Sequence, residues 1–139
     1  MGTTSADELY LDEPWVTIRW DSALRCVHTE WKGFANSAEF RAALMTALAA
    51  SKERHAVGYL SDTRKVRVIV QADQTWVNEV WIKLLAKAGV KRFALVTAAS
   101  GLGKLTVEDV ITLVDNKGVL MRGFDSVDDA TAWLAEAAG

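Results

Sequence analysis

The chain has 139 residues, of which 50% are hydrophobic and 24% are charged, and this balance is typical of one globular domain that folds without disulfides or a structural metal. Its formal net charge is −2 and it has no long basic cluster, so the sequence argues against a nucleic-acid partner. The only cysteine is Cys26, which excludes an internal disulfide and favours a reducing, cytoplasmic location. No apolar run approaches the ~20 residues of a membrane span, so the sequence predicts no transmembrane helix.

The N-terminal part of the chain predicts a tail and a β-hairpin. We interpret residues 1–8 as a flexible tail, because they lack the apolar core of a signal peptide, and residues 9–139 as a single domain. Apolar and polar side chains alternate over residues 16–20, which predicts a strand with one wet face. A short turn joins it to a second strand over residues 25–31, so that the two strands pair as a hairpin.

The next segment predicts a helix and then a short strand. Asn36 is a typical N-cap residue, and Glu39 three positions later can complete a capping box. Apolar side chains recur after it at helical spacing, which indicates that one stripe of the helix faces a core. The helix is expected to end near Ser51 or Lys52, and the strand to cover residues 57–60.

The rest of the chain alternates between helices and strands. Asp73 suits a helix N-terminus, and Gly89 is a natural residue to end that helix. The later elements are a strand over residues 93–96, a helix from Thr106 to Gly118, a strand over residues 119–124 and a helix capped by Ser126. The order β-β-α-β-α-β-α-β-α predicts an α/β fold with a mixed sheet, in which the later strands are parallel and joined by right-handed crossovers.

Five segments carry a resemblance to a known group of proteins. In chain order they are CVHTEWKGF, YLSDTRKV, DQTWVNEVW, GLGKLTVEDV and FDSVDDATAWL. From Leu9 to Leu134 the chain resembles small bacterial SpoIIAA-like proteins of the STAS/SEC14 group. The resemblance implies a STAS-like α/β fold, similar in shape to anti-anti-sigma factors, which bind partner proteins, and to Sec14-type domains, which hold lipids.

One motif departs from that group. Anti-anti-sigma factors carry Asp-Ser-Ser-Gly at the start of the helix after the middle strand, and a kinase phosphorylates a serine there. The matching segment of this chain is Asp73-Gln74-Thr75-Trp76, in which only Asp73 agrees and Thr75 is the sole hydroxyl. The departure argues against the same phosphorylation switch.

The two histidines, His28 and His55, do not predict a metal centre or an acid–base pair. Neither has a metal-ligating residue at the right spacing in its own element. Cys26 and His28 lie on the same side of one strand, with Cβ atoms about 6–7 Å apart, and nothing in the sequence orients the imidazole. We interpret His28 as a structural histidine and Cys26 as a buried, unreactive thiol.

A glycine-rich segment, ASGLGKLT, has the position of a phosphate loop between a strand and a helix. The P-loop pattern needs glycine where Ala98 stands and serine or threonine where Leu105 stands. The glycines therefore predict a tight turn. An anion at the helix N-terminus near Thr106 stays open, and Lys104 is retained as a candidate contact to a ligand or partner.

Four hydrogen-bonding side chains follow the strand over residues 57–60: Ser61, Asp62, Thr63 and Arg64. Ligand sites of parallel α/β sheets lie beyond the carboxyl ends of strands, so this segment has the right place for a site. Catalysis is disfavoured, because it needs a nucleophile with a base, or two carboxylates, within reach. Asp62 can instead close an Asx-turn on its own backbone. A structural turn and a binding surface both stay open.

Six tryptophans are the most unusual feature of the composition. Two of them, Trp76 and Trp81, lie in the helix that begins near Asp73, whose apolar positions spread over about half of the circumference at roughly 100° per residue. A helix packed on one sheet needs a stripe of only somewhat more than about 100°. The spare flank is covered by a neighbouring helix, by another subunit or by an apolar ligand.

The sequence favours a non-enzymatic STAS-like module that binds a partner protein or itself. The alternative is a small carrier or sensor that binds a lipophilic molecule in an apolar pocket. We expect no cofactor, no metal and no catalytic residue. The candidate contacts to a ligand or partner are Ser61, Asp62, Thr63, Arg64, Trp76, Trp81 and Lys104.

Overall fold

The computed structural model describes residues 7–66, 69–98 and 118–138. They form a six-stranded mixed sheet whose strands are arranged in chain order from one edge to the other. The strands are β1 (Asp7–Glu13), β2 (Val16–Asp21), β3 (Cys26–Trp31), β4 (Gly58–Asp62), β5 (Arg92–Val96) and β6 (Leu120–Phe124). Strands β1 to β3 pair antiparallel, and β3 to β6 pair parallel. The predicted α/β class, the hairpin and the parallel later strands are confirmed.

The predicted start of the first helix at Asn36 and the predicted end of the second at Gly89 are confirmed. The first helix continues to Arg54, beyond the predicted end near Ser51 or Lys52, and the second begins at Gln71, two residues before Asp73. The helices are α1 (Ser37–Arg54), α2 (Gln71–Trp76), α3 (Ile82–Ala88) and α4 (Val127–Ala138). A π-helical turn (Val77–Trp81) joins α2 to α3, and the three form one continuous segment, the α2–α3 segment. The Asn36 side chain accepts from the Glu39 backbone N–H at 2.8 Å, and Glu39 accepts from that of Asn36 at 3.0 Å, so the capping box is confirmed. Gly89 ends α3 with a φ of 105°. The helix predicted from Thr106 lies outside the described residues.

The sequence analysis predicted no strand before Val16, and β1 corrects this. The strand begins at Asp7, within the range predicted as a tail, and a register shift between Leu9 and Leu11 interrupts its alternation. It pairs with β2 only and carries four carboxylates. Charges and irregular pairing are typical of edge strands, where they discourage further strand addition, and they also hide the strand from pattern analysis.

Side chains of the sheet alternate between two differently covered faces. On the first face, Val27, Tyr59 and Phe93 pack under α1 and the α2–α3 segment. On the second face, Leu60 and Ala94 pack under α4, with Trp133 and Leu134 among the residues that cover them. The second face is covered by α4 over β4 to β6, so the polar side chains of β2 and β3 on that face remain only half-buried.

Trp81 connects the two helices of the first face to the sheet. It is fully buried, and its indole N–H donates to the Leu44 carbonyl of α1 at 2.8 Å. Its ring lies edge-on to Tyr59 and Phe93, with centroids 5.1 and 6.0 Å away. The π-helical turn ends at Trp81, where the Ile82 N–H bonds five residues back. The widened turn therefore fixes the indole between helix and sheet.

Trp81→Phe is expected to lower the free energy of unfolding by about 2 kcal/mol, because it removes a buried hydrogen bond and part of a buried ring. The matched control is Trp76→Phe, which changes a half-buried indole in the same helical segment and is expected to cost less than about 1 kcal/mol. Urea unfolding of both variants measures the difference. Equal losses would contradict the role assigned to Trp81.

Candidate functional site

The four polar residues after Leu60 do not all lie beyond the strand. Ser61 and Asp62 belong to β4, because Ser61 pairs with Thr29 and Leu95 and the ladders continue through Asp62. The predicted strand end at Leu60 is therefore corrected by two residues. Both side chains are buried, and alternation along the strand places Ser61 on the first face and Asp62 on the second.

Asp62 organises the turn that follows β4. Its carboxylate accepts from the Arg64 backbone N–H at 3.2 Å and from the Arg64 guanidinium at 2.9 and 2.8 Å. Burial alone would raise the pKa of Asp62, but the bonds from Arg64 outweigh it and hold this pKa below its usual value. The backbone contact is the predicted Asx-turn. The outer part of the Arg64 side chain remains exposed.

Thr63 fastens the same turn to β5. Its backbone N–H and its hydroxyl both donate to the Val96 carbonyl, each at 2.8 Å. Val66 then bonds back to the Thr63 carbonyl at 3.0 Å. The segment is thus a turn of fixed geometry, and Arg64 is the side chain of the four with most surface available to another molecule.

His28 lies on the second face, beside this turn, and is only partly satisfied. Its Nδ1 is 3.2 Å from the Arg19 guanidinium, which acts as the donor, so the imidazole carries its proton on Nε2. Within the described part of the chain, that buried Nε2 has no hydrogen-bond partner. Burial and then the Arg19 charge lower the pKa of His28 to about 4, against the opposing effect of Asp62. The imidazole is neutral at pH 7.

A buried carboxylate joins the starts of α1 and α2. Asp73 accepts from the Ser37 hydroxyl and from Arg41 Nε, both at 2.8 Å. Arg41 also donates to the Ala72 carbonyl at 3.3 Å and lies over the Trp76 ring, 5.1 Å from its centroid. Sequence analysis treated Asp73 only as a helix start. The one available signal was the i, i+4 spacing of Ser37 and Arg41, which places both on one side of α1.

The rim where β3 and β4 end and α1 and α2 begin carries exposed side chains, and we name it the carboxyl edge. Phe34, just before α1, is 84% exposed, and Val70, just before α2, is also exposed. Arg64 and the half-buried Trp76 complete the carboxyl edge. Exposed large apolar side chains and arginines are both found at protein interaction surfaces.

The two candidate tryptophans have different environments. Trp81 belongs to the core, whereas Trp76 lies at the margin between α1 and α2. The predicted spare flank is partly covered by α1, and Val80 on it remains exposed. Lys104 lies outside the described residues. Across residues 7–66, 69–98 and 118–138, no group of histidine, cysteine and carboxylate side chains is arranged to hold a metal ion.

Comparison of the chain with models of protein families, with curated proteins and with solved structures found no match in any of the three. Among the described helices, none is both long and apolar enough to cross a membrane.

Acidification is expected to destabilise the protein through His28. Histidine has a pKa of about 6.5 in the unfolded chain, whereas the pKa of His28 in the folded protein is about 4. The resulting contribution to the free energy of unfolding is fully present above pH 6.5 and is lost as the pH falls towards 4. The loss amounts to about 3 kcal/mol at most. His28→Gln removes the titration, and the slope of unfolding free energy against pH is then expected to flatten.

The control for this pH dependence is His55→Gln, which replaces the exposed histidine at the end of α1. It is expected to keep the wild-type slope between pH 4 and 6.5. An unchanged slope in His28→Gln would show that the buried imidazole does not cause the pH dependence.

Asp73→Ala is expected to lower the free energy of unfolding by about 2 kcal/mol, since it removes a buried acceptor of two hydrogen bonds while Arg41 keeps access to water. Asp128→Ala is the matched control, because Asp128 is an exposed carboxylate in the first turn of α4. Its effect should stay within about 0.5 kcal/mol. Urea denaturation measures the unfolding free energy of both variants. Equal losses would contradict the role of Asp73 in holding the starts of α1 and α2 together.

Proposed function

We propose that this chain is a non-enzymatic, STAS-like interaction module that binds a partner protein through its carboxyl edge. The observation that carries the proposal is Phe34, which is 84% exposed on the carboxyl edge, just before α1. Burying an exposed phenylalanine in an interface contributes about 1.5–3 kcal/mol. A side chain of this type in this position has the properties of a binding anchor.

The frame behind Phe34 supports binding because it is preorganised. The Asp62–Arg64 turn and the bonds of Asp73 to Ser37 and Arg41 fix the loops on either side. A surface that is already ordered loses little conformational entropy on association. Arg41 and Arg64 add guanidinium groups, which are enriched at protein interfaces. The complementary partner presents an apolar pocket with carboxylates at its rim.

The polar groups of the site support binding over catalysis. Asp62 is occupied by Arg64, and Asp73 by Ser37 and Arg41. His28 is neutral and offers its Nδ1 to Arg19. Catalysis by a nucleophile requires a base in hydrogen-bond contact with it, and the geometry of these groups instead makes each of them part of the scaffold.

The resemblance to SpoIIAA-like proteins supports the STAS-like part of the proposal. It implies a STAS-like α/β fold, and the described sheet, with β2 and β3 antiparallel and β3 to β6 parallel, is compatible with it. Partner binding is the function that the anti-anti-sigma branch of the resemblance implies. The carboxyl edge gives it a specific surface in this chain.

A carrier or sensor for a lipophilic molecule is the second candidate. It is favoured by Tyr59, whose buried hydroxyl faces the Thr29 hydroxyl without forming a hydrogen bond of good geometry. Thr29 donates instead to the Leu60 carbonyl at 3.3 Å. Buried unsatisfied hydroxyls are uncommon, and an acceptor on a ligand is one way to satisfy them. Native mass spectrometry of the purified protein separates the candidates. A bound lipid favours the carrier, and the mass of the bare chain favours the interaction module.

Phe34→Ser is expected to weaken the binding of a partner protein at least tenfold, a loss of about 1.4 kcal/mol or more. A protein captured by the wild-type chain is first purified and titrated to obtain its Kd. Because Phe34 is exposed, the variant should unfold at the wild-type temperature, which separates lost binding from lost folding.

Leu120→Ser is the control for this experiment, since it removes an exposed apolar side chain from β6, away from the carboxyl edge. It is expected to keep the wild-type Kd. A partner whose affinity is unchanged by Phe34→Ser and reduced by Leu120→Ser would move the site to the β6 edge and refute the proposal.

A further inference from the structure

The outer side of α1 is unusually apolar for a helix at a protein surface. Met45, at its middle, is 45% exposed, and the other exposed side chains between residues 38 and 49 are alanines, namely Ala38, Ala42 and Ala49. A helix that borders water normally carries polar or charged side chains there. Arg41, the one cation in this range, is turned towards Asp73 and Trp76. The outer side of α1 thus has the composition of a covered surface.

The apolar surface continues from α1 onto the neighbouring helical segment. The hydrogen bond from Trp81 to the Leu44 carbonyl brings the middle of the two elements together. Met45 follows Leu44, and Val80 precedes Trp81, and both are exposed, Val80 to 42%. Met45 and Val80 are thus the large exposed apolar side chains of these two neighbouring elements.

The charges at the two ends of α1 identify what fits on this surface. Glu39 lies in its first turn, where one carboxylate oxygen accepts from the Asn36 N–H, and Lys52 lies in its last turn. Lys52 forms no ion pair with any described residue. The midpoint between positions 39 and 52 falls between Met45 and Thr46. A second α1 running antiparallel about that midpoint brings Glu39 to Lys52 of the copy and Ala42 to Ala49 of the copy. Antiparallel helix dipoles favour the same arrangement.

We propose that a second copy of this chain covers the outer side of α1, so that two copies form a dimer with α1 packed antiparallel on itself about a twofold axis near Met45. The axis makes the surface self-complementary, as an isologous interface requires. Ala42 and Ala49 on either side of Met45 allow helix axes about 8–10 Å apart. One helix pair is a small interface, so the dimer is expected to be weak and concentration-dependent.

The inference concerns a different surface from the carboxyl edge and does not rest on the proposed function. Phe34 lies on the rim before α1, outside the antiparallel contact between positions 38 and 52. A protein that stays monomeric therefore overturns the dimer and leaves partner binding at Phe34 intact. Conversely, loss of partner binding has no bearing on self-association through Met45.

Sedimentation equilibrium over a range of concentrations tests association. The wild type is expected to show a monomer–dimer equilibrium, and Met45→Glu, which places like charges at the axis, is expected to be monomeric and folded. Leu120→Glu is the matched control, because Leu120 is also 45% exposed but lies on β6. It is expected to dimerise like the wild type. A monomeric wild type, or a Met45→Glu variant that still dimerises, would overturn the proposal.

Disulfide trapping tests the orientation of the two helices. With the axis beside Met45, the two Met45 positions lie about 2 Å apart along the helix axes, whereas the two Ala38 positions lie about 22 Å apart. A disulfide needs Cα atoms within about 7 Å. Met45→Cys is therefore expected to crosslink on mild oxidation, and Ala38→Cys is not. Crosslinking of both variants at equal rates indicates parallel packing and refutes the antiparallel arrangement.

Charge exchange tests the ends of the contact. Lys52→Glu is expected to weaken the dimer, because it places two carboxylates together, and adding Glu39→Lys to the same chain is expected to restore it. Circular dichroism checks that α1 remains helical after the loss of its capping box. A double variant that associates no better than Lys52→Glu alone would contradict the proposed register.

Discussion

The hydrogen bond from the Trp81 indole to the Leu44 carbonyl joins α1, the α2–α3 segment and the aromatic centre of the sheet in one contact. An indole N–H left without a partner in this interior would cost more than the bond contributes, so the two helices are held at a fixed distance. That distance decides which other side chains reach water. Trp76, Val80 and Met45 are exposed or half-exposed because Trp81 and Leu44 occupy the space between the helices.

The same arrangement separates supporting residues from contacting ones. Asp62 and Asp73 are buried carboxylates that accept hydrogen bonds from Arg64 and Arg41, respectively. Asp62 holds a loop in place, and Asp73 holds a helix start. Phe34 and Met45 are exposed and form no part of that support. The polar residues that stand out in the sequence therefore mainly support the structure, and the exposed apolar side chains lie beside them.

Sequence patterns predicted the elements whose signals are local. Asn36, Glu39 and Gly89 mark helix ends through contacts within a few residues, and the Asx-turn of Asp62 spans two. Strand β1 was missed because its charges and its register shift serve the exposed edge of the sheet and break the alternation that identifies strands. The helix caps and the Asx-turn were predictable because their contacts lie within one segment. Strand β1 was not, because it is recognised only from its pairing in the sheet.

The candidate site was only partly predictable for the same reason. Asp73 meets Ser37 and Arg41 across 36 and 32 residues of sequence, which no local pattern reveals. The π-helical turn from Val77 to Trp81 has no local sequence signal either, and a widened turn rotates every later side chain relative to a regular helix. Phe34 was overlooked because the exposure of its side chain depends on loop packing that the sequence alone does not specify.

Hydroxyl-radical footprinting, which modifies exposed methionine and aromatic side chains, tests the separation of scaffold and surface most directly. In dilute protein we expect rapid modification of Phe34 and Met45, slower modification of Trp76 and none of Trp81. At high concentration Met45 becomes protected while Phe34 stays reactive. Modification of Trp81 as fast as that of Trp76, or protection of Phe34 in place of Met45, would contradict that separation.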